Sequence, residues 1–238
     1  MAASAYAATR GRRRRRGGLL GRLLVVLLGL VVAGFAGAPV AYMLWPQPVP
    51  ISADAPSLPI TVGGVLFNVA PAAIRFAVQR RPGAQARIDL SFVWPSLTPP
   101  DAAAKPKPTA APDVADRLFA TIAAGDGTLP PMERLKVIYP RYIDSGPIVT
   151  PNGLSLQNFR DGSPYQGEDL IYDPAATERF LLRCTRQVGS MPAMCLHERR
   201  IAGADVTLRF PRQWLSDWRA VASGIDRLIA SLRPASAG

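Results

Sequence analysis

The sequence predicts an α+β protein in which an N-terminal transmembrane helix is followed by a mainly antiparallel sheet, packed by a long C-terminal amphipathic helix. Three observations favour this class. Residues 23–45 carry no charged side chain, several segments with strand-like alternation follow one another in the second half of the chain, and apolar residues recur at helical spacing over 214–232. Because strands and helices are segregated along the chain, parallel βαβ winding is not expected.

The uncharged segment 23–45 is long enough to cross a membrane. As a helix it would measure about 34 Å, against about 30 Å for the hydrocarbon core of a bilayer. Since positively charged flanks remain in the cytoplasm, residues 1–22 are predicted to be a basic cytoplasmic tail and the rest of the chain to be periplasmic. The chain is thus predicted to be a single-pass protein of the bacterial inner membrane. The topology-determining run consists of Arg12, Arg13, Arg14, Arg15 and Arg16.

A cleaved secretory signal is the main alternative, since residues 36–38 are Ala-Gly-Ala. Retention as a signal-anchor is favoured because the apolar segment exceeds a usual signal-peptide core and Pro39 would directly follow the cut. The arginine run does not predict nucleic-acid binding. Seven of the 28 basic residues precede the span, which leaves 21 basic against 17 acidic residues, an ordinary balance.

Beyond the span, the sequence divides into a stalk and one domain. Residues 46–58 carry several prolines and few large apolar side chains, as is typical of an extended linker. The periplasmic α+β domain is predicted over 59–234. A mobile Pro/Ala-rich loop at 96–113 interrupts it, because that segment cannot bury enough apolar area to order itself. Proline-rich segments can also dock a partner, and this alternative stays open.

Local patterns predict the elements of this domain. Residues 87–94 alternate most clearly between apolar and polar side chains. Asp113 is a suitable N-cap for a helix over 114–124, and Pro-Asn-Gly at 151–153 predicts a hairpin turn. The remaining predictions are strands at 60–69, 135–139, 148–150, 154–159, 178–186, 194–201 and 205–210, a short helix at 71–78 and the helix at 214–232.

The two cysteines, Cys184 and Cys195, both lie in the part predicted to be exported. An oxidising compartment favours a disulfide between them, which would join two neighbouring predicted strands. The alternative is a metal site that also uses His197, two residues beyond Cys195. That site lacks a fourth ligand at recognised spacing, so no metal and no cofactor is predicted.

Four acids are concentrated between residues 160 and 173. A calcium loop or a hydrolytic carboxylate pair would need acids at set intervals, which the segment does not demonstrate. His197 is the only histidine, and no nucleophile elbow, phosphate-binding loop or H-E-x-x-H motif is present. The sequence gives no specific reason to predict an enzyme, although a membrane-tethered periplasmic hydrolase using the acids of 161–173 or His197 remains the alternative. These acids are Asp161, Glu168, Asp169 and Asp173.

Two parts of the chain carry a resemblance to a known group of proteins. They are ITVGGVLFNVAPAAIR with RIDLSFVWPSL, and RCTRQVGSMPAMCLHERR continuing into VTLRFPRQWLSDWRAV. They resemble small, uncharacterised, membrane-anchored envelope proteins of Gram-negative bacteria, a group with no assigned activity. This group carries no activity to transfer, so the predicted function follows from the expected periplasmic location and the lack of a catalytic motif: a non-catalytic envelope or assembly component that binds another protein. A lipid-binding or sensory module is a third hypothesis.

Overall fold

A computed structural model describes residues 23–32, 55–101, 116–144, 146–189 and 191–234. The chain divides into two compact units, Met1–Val49 and Pro50–Gly238. In the first unit, residues 23–32 are helical and exposed. No helix within the described residues is long and apolar enough to cross a membrane. The arginine run, the remainder of the predicted span and most of the predicted stalk lie outside the described residues.

The second unit combines two sheets with two α-helices in its described part. A 3-10 helix over Arg212–Asp217 leads directly into the C-terminal α-helix. The strands are β1 Leu58–Val62, β2 Val65–Val69, β3 Gly83–Ala84, β4 Arg87–Val93, β5 Arg117–Ala124, β6 Ile148–Val149, β7 Ser155–Asn158, β8 Glu168–Tyr172, β9 Leu181–Thr185, β10 Met194–Ile201 and β11 Ala204–Pro211; the helices are α1 Pro131–Val137 and α2 Trp218–Leu232.

The larger sheet has eight strands in the order β4-β5-β11-β10-β9-β8-β7-β6, and every neighbouring pair is antiparallel. The smaller sheet has the order β2-β1-β3, and β1 pairs with β3 in parallel. The predicted α+β class, with a large antiparallel sheet and a C-terminal helix, is therefore confirmed. The predicted run of three sequential antiparallel strands near the C-terminus is also present, as β9, β10 and β11.

One face of the large sheet, called here the inner face, forms the main core with α2 and the small sheet. Along β5, for example, Leu118 and Ile122 are buried and point to this face. Strand side chains alternate between faces, so one row per strand reaches the core. Trp218 of α2 stacks on Phe180 with ring centroids 5.4 Å apart. The main core therefore depends on the amphipathic pattern of the C-terminal helix.

The opposite, outer face is covered over only part of its width. A second core of Tyr139, Phe159, Leu170 and Leu181 lies over β8 and β9, and residues of α1 pack against it. Ring centroids of Tyr139 and Phe159 are 5.4 Å apart in an edge-to-face arrangement. Outer-face side chains of β4, β5 and β11 belong to neither core. Asp89 and Ser91 on the outer face of β4 are nevertheless buried, whereas Arg209 on the outer face of β11 is exposed.

Three predicted elements are wrong. The expected single strand at 60–69 is a hairpin, because β1 and β2 pair with each other in antiparallel fashion. The expected helix over 114–124 is strand β5, and the expected strand at 135–139 lies in α1 and the turn that follows it. Leu118 and Ile122 are four residues apart, a spacing that suits both a helix face and alternate positions of a strand. Pairing with β4 and β11 selects the strand.

Smaller differences concern the helix boundaries. The predicted helix at 71–78 consists of two 3-10 turns, Pro71–Ala73 and Ala77–Gln79. The predicted helix at 214–232 begins as a 3-10 helix and becomes α-helical at Trp218. Residues 102–113 of the predicted mobile loop lie outside the described residues.

Candidate protein-binding surface

His197, the candidate general base, is buried next to Phe180 of the main core. It lies on β10 and is 1% exposed. Its Nδ1 is 3.0 Å from the carbonyl oxygen of Leu181, and Arg199 Nε donates to its Nε2 at 2.9 Å. Burial, and then the charge of Arg199, lowers the pKa of His197 to about 4. Both ring nitrogens have protein partners, so this neutral imidazole is a structural group and not a poised base.

The four candidate acids are not brought together. Glu168 and Asp169 are successive residues of β8, so their side chains point to opposite faces of the sheet. Glu168 pairs with Arg183 at 2.8 Å, while the buried Asp169 is held by Arg186 at 2.7 Å and Arg212 at 2.6 Å. Neighbouring acids of the segment lie in turns: Asp161 before β8 and Asp173 directly after it. Glu168 and Asp169 therefore do not face each other as the carboxylate pair of a hydrolase would.

The predicted disulfide between Cys184 and Cys195 is present. The two residues are directly opposite each other on β9 and β10, and both are buried. Their sulfurs are bonded to each other, so the alternative metal site with His197 does not form. Among the described residues, no group of three or more histidine, cysteine or acidic side chains could hold a metal ion.

A different surface has the properties of a binding site. We call it the Phe119 surface and define it by Arg75, Phe76, Phe119 and Arg209. Phe119 lies on the outer face of β5, and Arg209 of β11 is its direct neighbour in the ladder. The guanidinium carbon of Arg75 lies 4.7 Å from the ring centroid of Phe119 and 5.5 Å from that of Phe76. The arginine therefore links the two aromatic rings into one patch.

Much of this surface is open to solvent. Phe76 is 49% exposed, and Val78, two residues further along the chain, is 75% exposed. Arg75 and Arg209 are also exposed, while Phe119 is half-buried beneath the Arg75 guanidinium. Exposed aromatic and arginine side chains in one patch are the residue types that carry most binding energy in protein interfaces.

A buried carboxylate holds the segment that carries Arg75 and Phe76. Asp89 of β4 is 4% exposed. Burial disfavours its charged form, but hydrogen bonds from Arg87, Gln79 and Thr121 outweigh that effect and keep the pKa of Asp89 below its usual value. The Gln79 side chain also accepts from the Asp89 backbone amide at 2.9 Å, and the Arg75 amide donates to the Asp89 carbonyl at 2.9 Å. The segment is therefore tied to the edge of the sheet at several points.

The charge of this region is positive. Strands β4, β5 and β11 and the segment 71–80 together carry five arginines and two aspartates. Both carboxylates are already bound: Asp89 by Arg87 at 2.6 Å and Asp205 by Arg200 at 2.7 Å. Arg209 has no ion-pair partner within the described residues. The four residues that define the surface thus offer the guanidinium groups of Arg75 and Arg209 and include no carboxylate, while the exposed Asp126 lines the groove beside them.

The Phe119 surface continues into a groove of about 260 Å³ beside α1. Arg209 and Thr207 line its sheet side, and Leu129 and Pro131 line the side next to the helix. Leu129 is 41% exposed. The surface therefore combines a raised aromatic patch with an adjoining concavity, which increases the area that a protein partner could bury.

Sequence reasoning misses this surface entirely. The local patterns predict a helix at Phe119 and a second helix at Arg75 and Phe76. The alternation of Phe119 with buried Leu118 and Ala120 is an available signal for a strand. No sequence pattern predicts the contact of Arg75 with Phe119. The two residues lie far apart in the chain, and only the folded sheet brings them together.

No protein-family model matches the chain, and no curated protein matches it. Two solved structures are similar to it. An immunity protein of the Stenotrophomonas maltophilia type IV secretion system has 16% identity and a TM-score of 0.50, with 76% of this chain and 94% of that chain covered. The Neisseria meningitidis iron-regulated outer membrane lipoprotein FrpD has 10% identity and a TM-score of 0.41, with 77% and 97% covered. The first likeness shows a shared fold.

Proposed function

We propose that this protein is a non-catalytic envelope component whose domain binds another protein in the periplasm. In this proposal the span predicted from the sequence over 23–45 anchors it in the inner membrane, with the basic N-terminal tail in the cytoplasm. The Phe119 surface is the observation that carries the proposal, because exposed aromatic and arginine side chains are held there by a rigid support.

Further features support the proposal. Candidate catalytic groups are engaged in internal contacts: His197 through both ring nitrogens and Asp169 through two arginines. A disulfide between Cys184 and Cys195 suits an oxidising compartment such as the periplasm. An immunity protein has the same fold, so a binding role is compatible with this architecture.

Binding is tested by isolating the full-length protein with its neighbours. Tagged protein is crosslinked in intact cells, extracted from membranes in mild detergent and purified, and a specific protein should accompany it in stoichiometric amount. As a matched test of the hydrolase alternative, Asp161→Asn and Glu168→Gln should leave both complex formation and the cellular phenotype unchanged. Loss of the phenotype in a folded variant with the complex intact would overturn the non-catalytic assignment.

The membrane topology requires its own experiment. Alkaline phosphatase fused after Pro50 should be active, because the enzyme folds only in an oxidising compartment. Replacing all five residues of the arginine run by glutamine should reduce that activity, since the charge bias that directs orientation is removed. An inactive wild-type fusion would overturn the predicted orientation, and release of the full-length protein by alkaline carbonate would overturn the anchor.

A further inference from the structure

We propose that the protein partner presents an acidic surface to the Phe119 surface, with its carboxylates on Arg75 and Arg209 and an apolar side chain on Phe76. This inference rests on the proposed function and adds the docking face and the chemistry of the partner. Three properties of the described residues carry it: the positive charge of the surface, the position of the Arg75 guanidinium and the hydrogen-bonded support beneath it.

The charge of the surface selects an acidic partner. Asp89 and Asp205 are the only carboxylates on β4, β5, β11 and 71–80, and internal arginines bind both of them. Arg209 is exposed without an ion-pair partner in the described part of the chain, and Arg75 contacts aromatic rings in place of an acid. A basic partner would meet the like charges of Arg75 and Arg209, which disfavours its docking on these residues.

The position of Arg75 leaves it free for a carboxylate. Cation–π attraction holds its guanidinium over the Phe119 ring, and no acceptor within the described residues occupies its N–H groups. A carboxylate can accept two of these donors in parallel, which gives geometric specificity as well as charge attraction. Phe76 lies beside the same guanidinium, so an apolar side chain of the partner would pack next to the ion pair and exclude water from it.

The support beneath the surface lowers the cost of binding. Gln79 exchanges hydrogen bonds with both the backbone and the carboxylate of Asp89, at 2.9 and 3.1 Å, and Thr121 donates to the same carboxylate at 2.9 Å. Arg80 donates twice to the Ile74 carbonyl oxygen. The segment that carries Arg75 and Phe76 is therefore ordered before the partner arrives, and little conformational entropy is lost on binding.

Photo-crosslinking from the surface itself identifies its occupant. Phe76 of the full-length protein is replaced by p-benzoylphenylalanine, which preserves an aromatic ring, and cells are irradiated. Arg227, exposed on α2, receives the same crosslinker as the control position. Mass spectrometry then locates the crosslinked segment. The expected result is a protein segment with an excess of Asp and Glu over Lys and Arg, recovered at position 76 and not at position 227.

Charge reversal measures the contribution of the two arginines. The pair Arg75→Glu and Arg209→Glu should reduce the yield of the position-76 crosslink at least tenfold. Arg227→Glu with Arg233→Glu is the matched control, because it makes the same change of charge at two exposed arginines at the C-terminal end of the chain and should leave the yield unchanged. Unchanged melting temperatures show that each variant is folded.

Each other outcome has a definite meaning. A protein crosslinked only from position 227, or a basic or neutral segment at position 76, would overturn the inference while leaving a binding function in place. A phospholipid adduct at position 76, or a crosslink to residues 102–115 of the same chain, would assign the surface to the membrane or to the chain itself and overturn it equally. If neither crosslinking position nor the tagged purification yields a protein, both this inference and the proposed binding function are overturned.

Discussion

Acidification from pH 7 to pH 4.5 should destabilise the folded domain through His197. Because the imidazole is 1% exposed and lies beside Arg199, its pKa is about 4 in the folded protein, against 6.5 for an unperturbed histidine. Between these two pH values the unfolded chain binds a proton that the folded chain excludes. The free energy of unfolding is therefore highest above pH 6.5 and falls as the pH is lowered towards 4.

The size of this loss of stability follows from the difference between the folded and unfolded pKa values of His197. Each pH unit is worth about 1.4 kcal/mol for one proton, so the full window corresponds to about 3 kcal/mol. His197 is the only histidine of the chain. Burial disfavours the charged forms of Asp89 and Asp226, but hydrogen bonds from arginines outweigh this effect and keep both pKa values below their usual range. These carboxylates therefore stop stabilising the fold only at lower pH. Carboxylates begin to lose their effect on the free energy of unfolding only near pH 5 and below, so the slope between pH 5 and 6.5 is expected to report His197.

Urea unfolding of the full-length protein in non-ionic detergent, followed by tryptophan fluorescence, measures this slope. His197→Asn is the control, because asparagine retains a donor for the Leu181 carbonyl oxygen but does not titrate. It should lower the free energy of unfolding at pH 7, where the acceptor for Arg199 is lost, yet show a flatter profile between pH 6.5 and 4.5. The same slope in both proteins, or an imidazole NMR titration centred near 6.5, would refute the reasoning.

Three further substitutions test the packing. Cys184→Ser removes the disulfide and should cost about 3 kcal/mol in urea unfolding; an unchanged midpoint under non-reducing conditions would contradict this. Gly203→Ala places a methyl group against a backbone carbonyl of the small sheet and should cost about 1–3 kcal/mol, whereas Gly146→Ala, which has open space around it, should be neutral. Glu198 pairs with Arg134 of α1 at 2.8 Å and lies 3.9 Å from Arg183. Glu198→Gln removes this negative charge and should lower the stability measured by thermal unfolding by about 1–2 kcal/mol. An equal or higher melting temperature would show that the ion pairs do not stabilise the fold.

The C-terminal third of the domain is predictable because its signals are local. Residues 194–201 form β10 with the predicted bounds, and 205–210 lies within β11. The disulfide follows from the same hairpin arrangement, since Cys184 and Cys195 become direct neighbours once β9 and β10 pair. Apolar spacing in α2 likewise predicts both its helical form and its buried stripe.

The sequence prediction is wrong at 114–124, because the apolar residues there fit both the spacing of a helix and the alternation of a strand. Apolar side chains at 118, 120 and 122 suit a strand, but the pair at 118 and 122 also suits a helix, and Asp113 favours the second choice. In the structure, β5 is an interior strand between β4 and β11. The backbone hydrogen bonds that decide this come from segments far away in the sequence.

The sequence by itself determined the fold class, the hairpin strands, the cysteine pair and the amphipathic C-terminal helix, because each depends on spacing within a short segment. Only the tertiary structure decided that His197 is buried, that Glu168 and Asp169 point to opposite faces, and that Arg75, Phe119 and Arg209 form one exposed surface. The physical reason is that sheet register and face coverage arise from pairing between distant segments, which sets every side chain's environment at once.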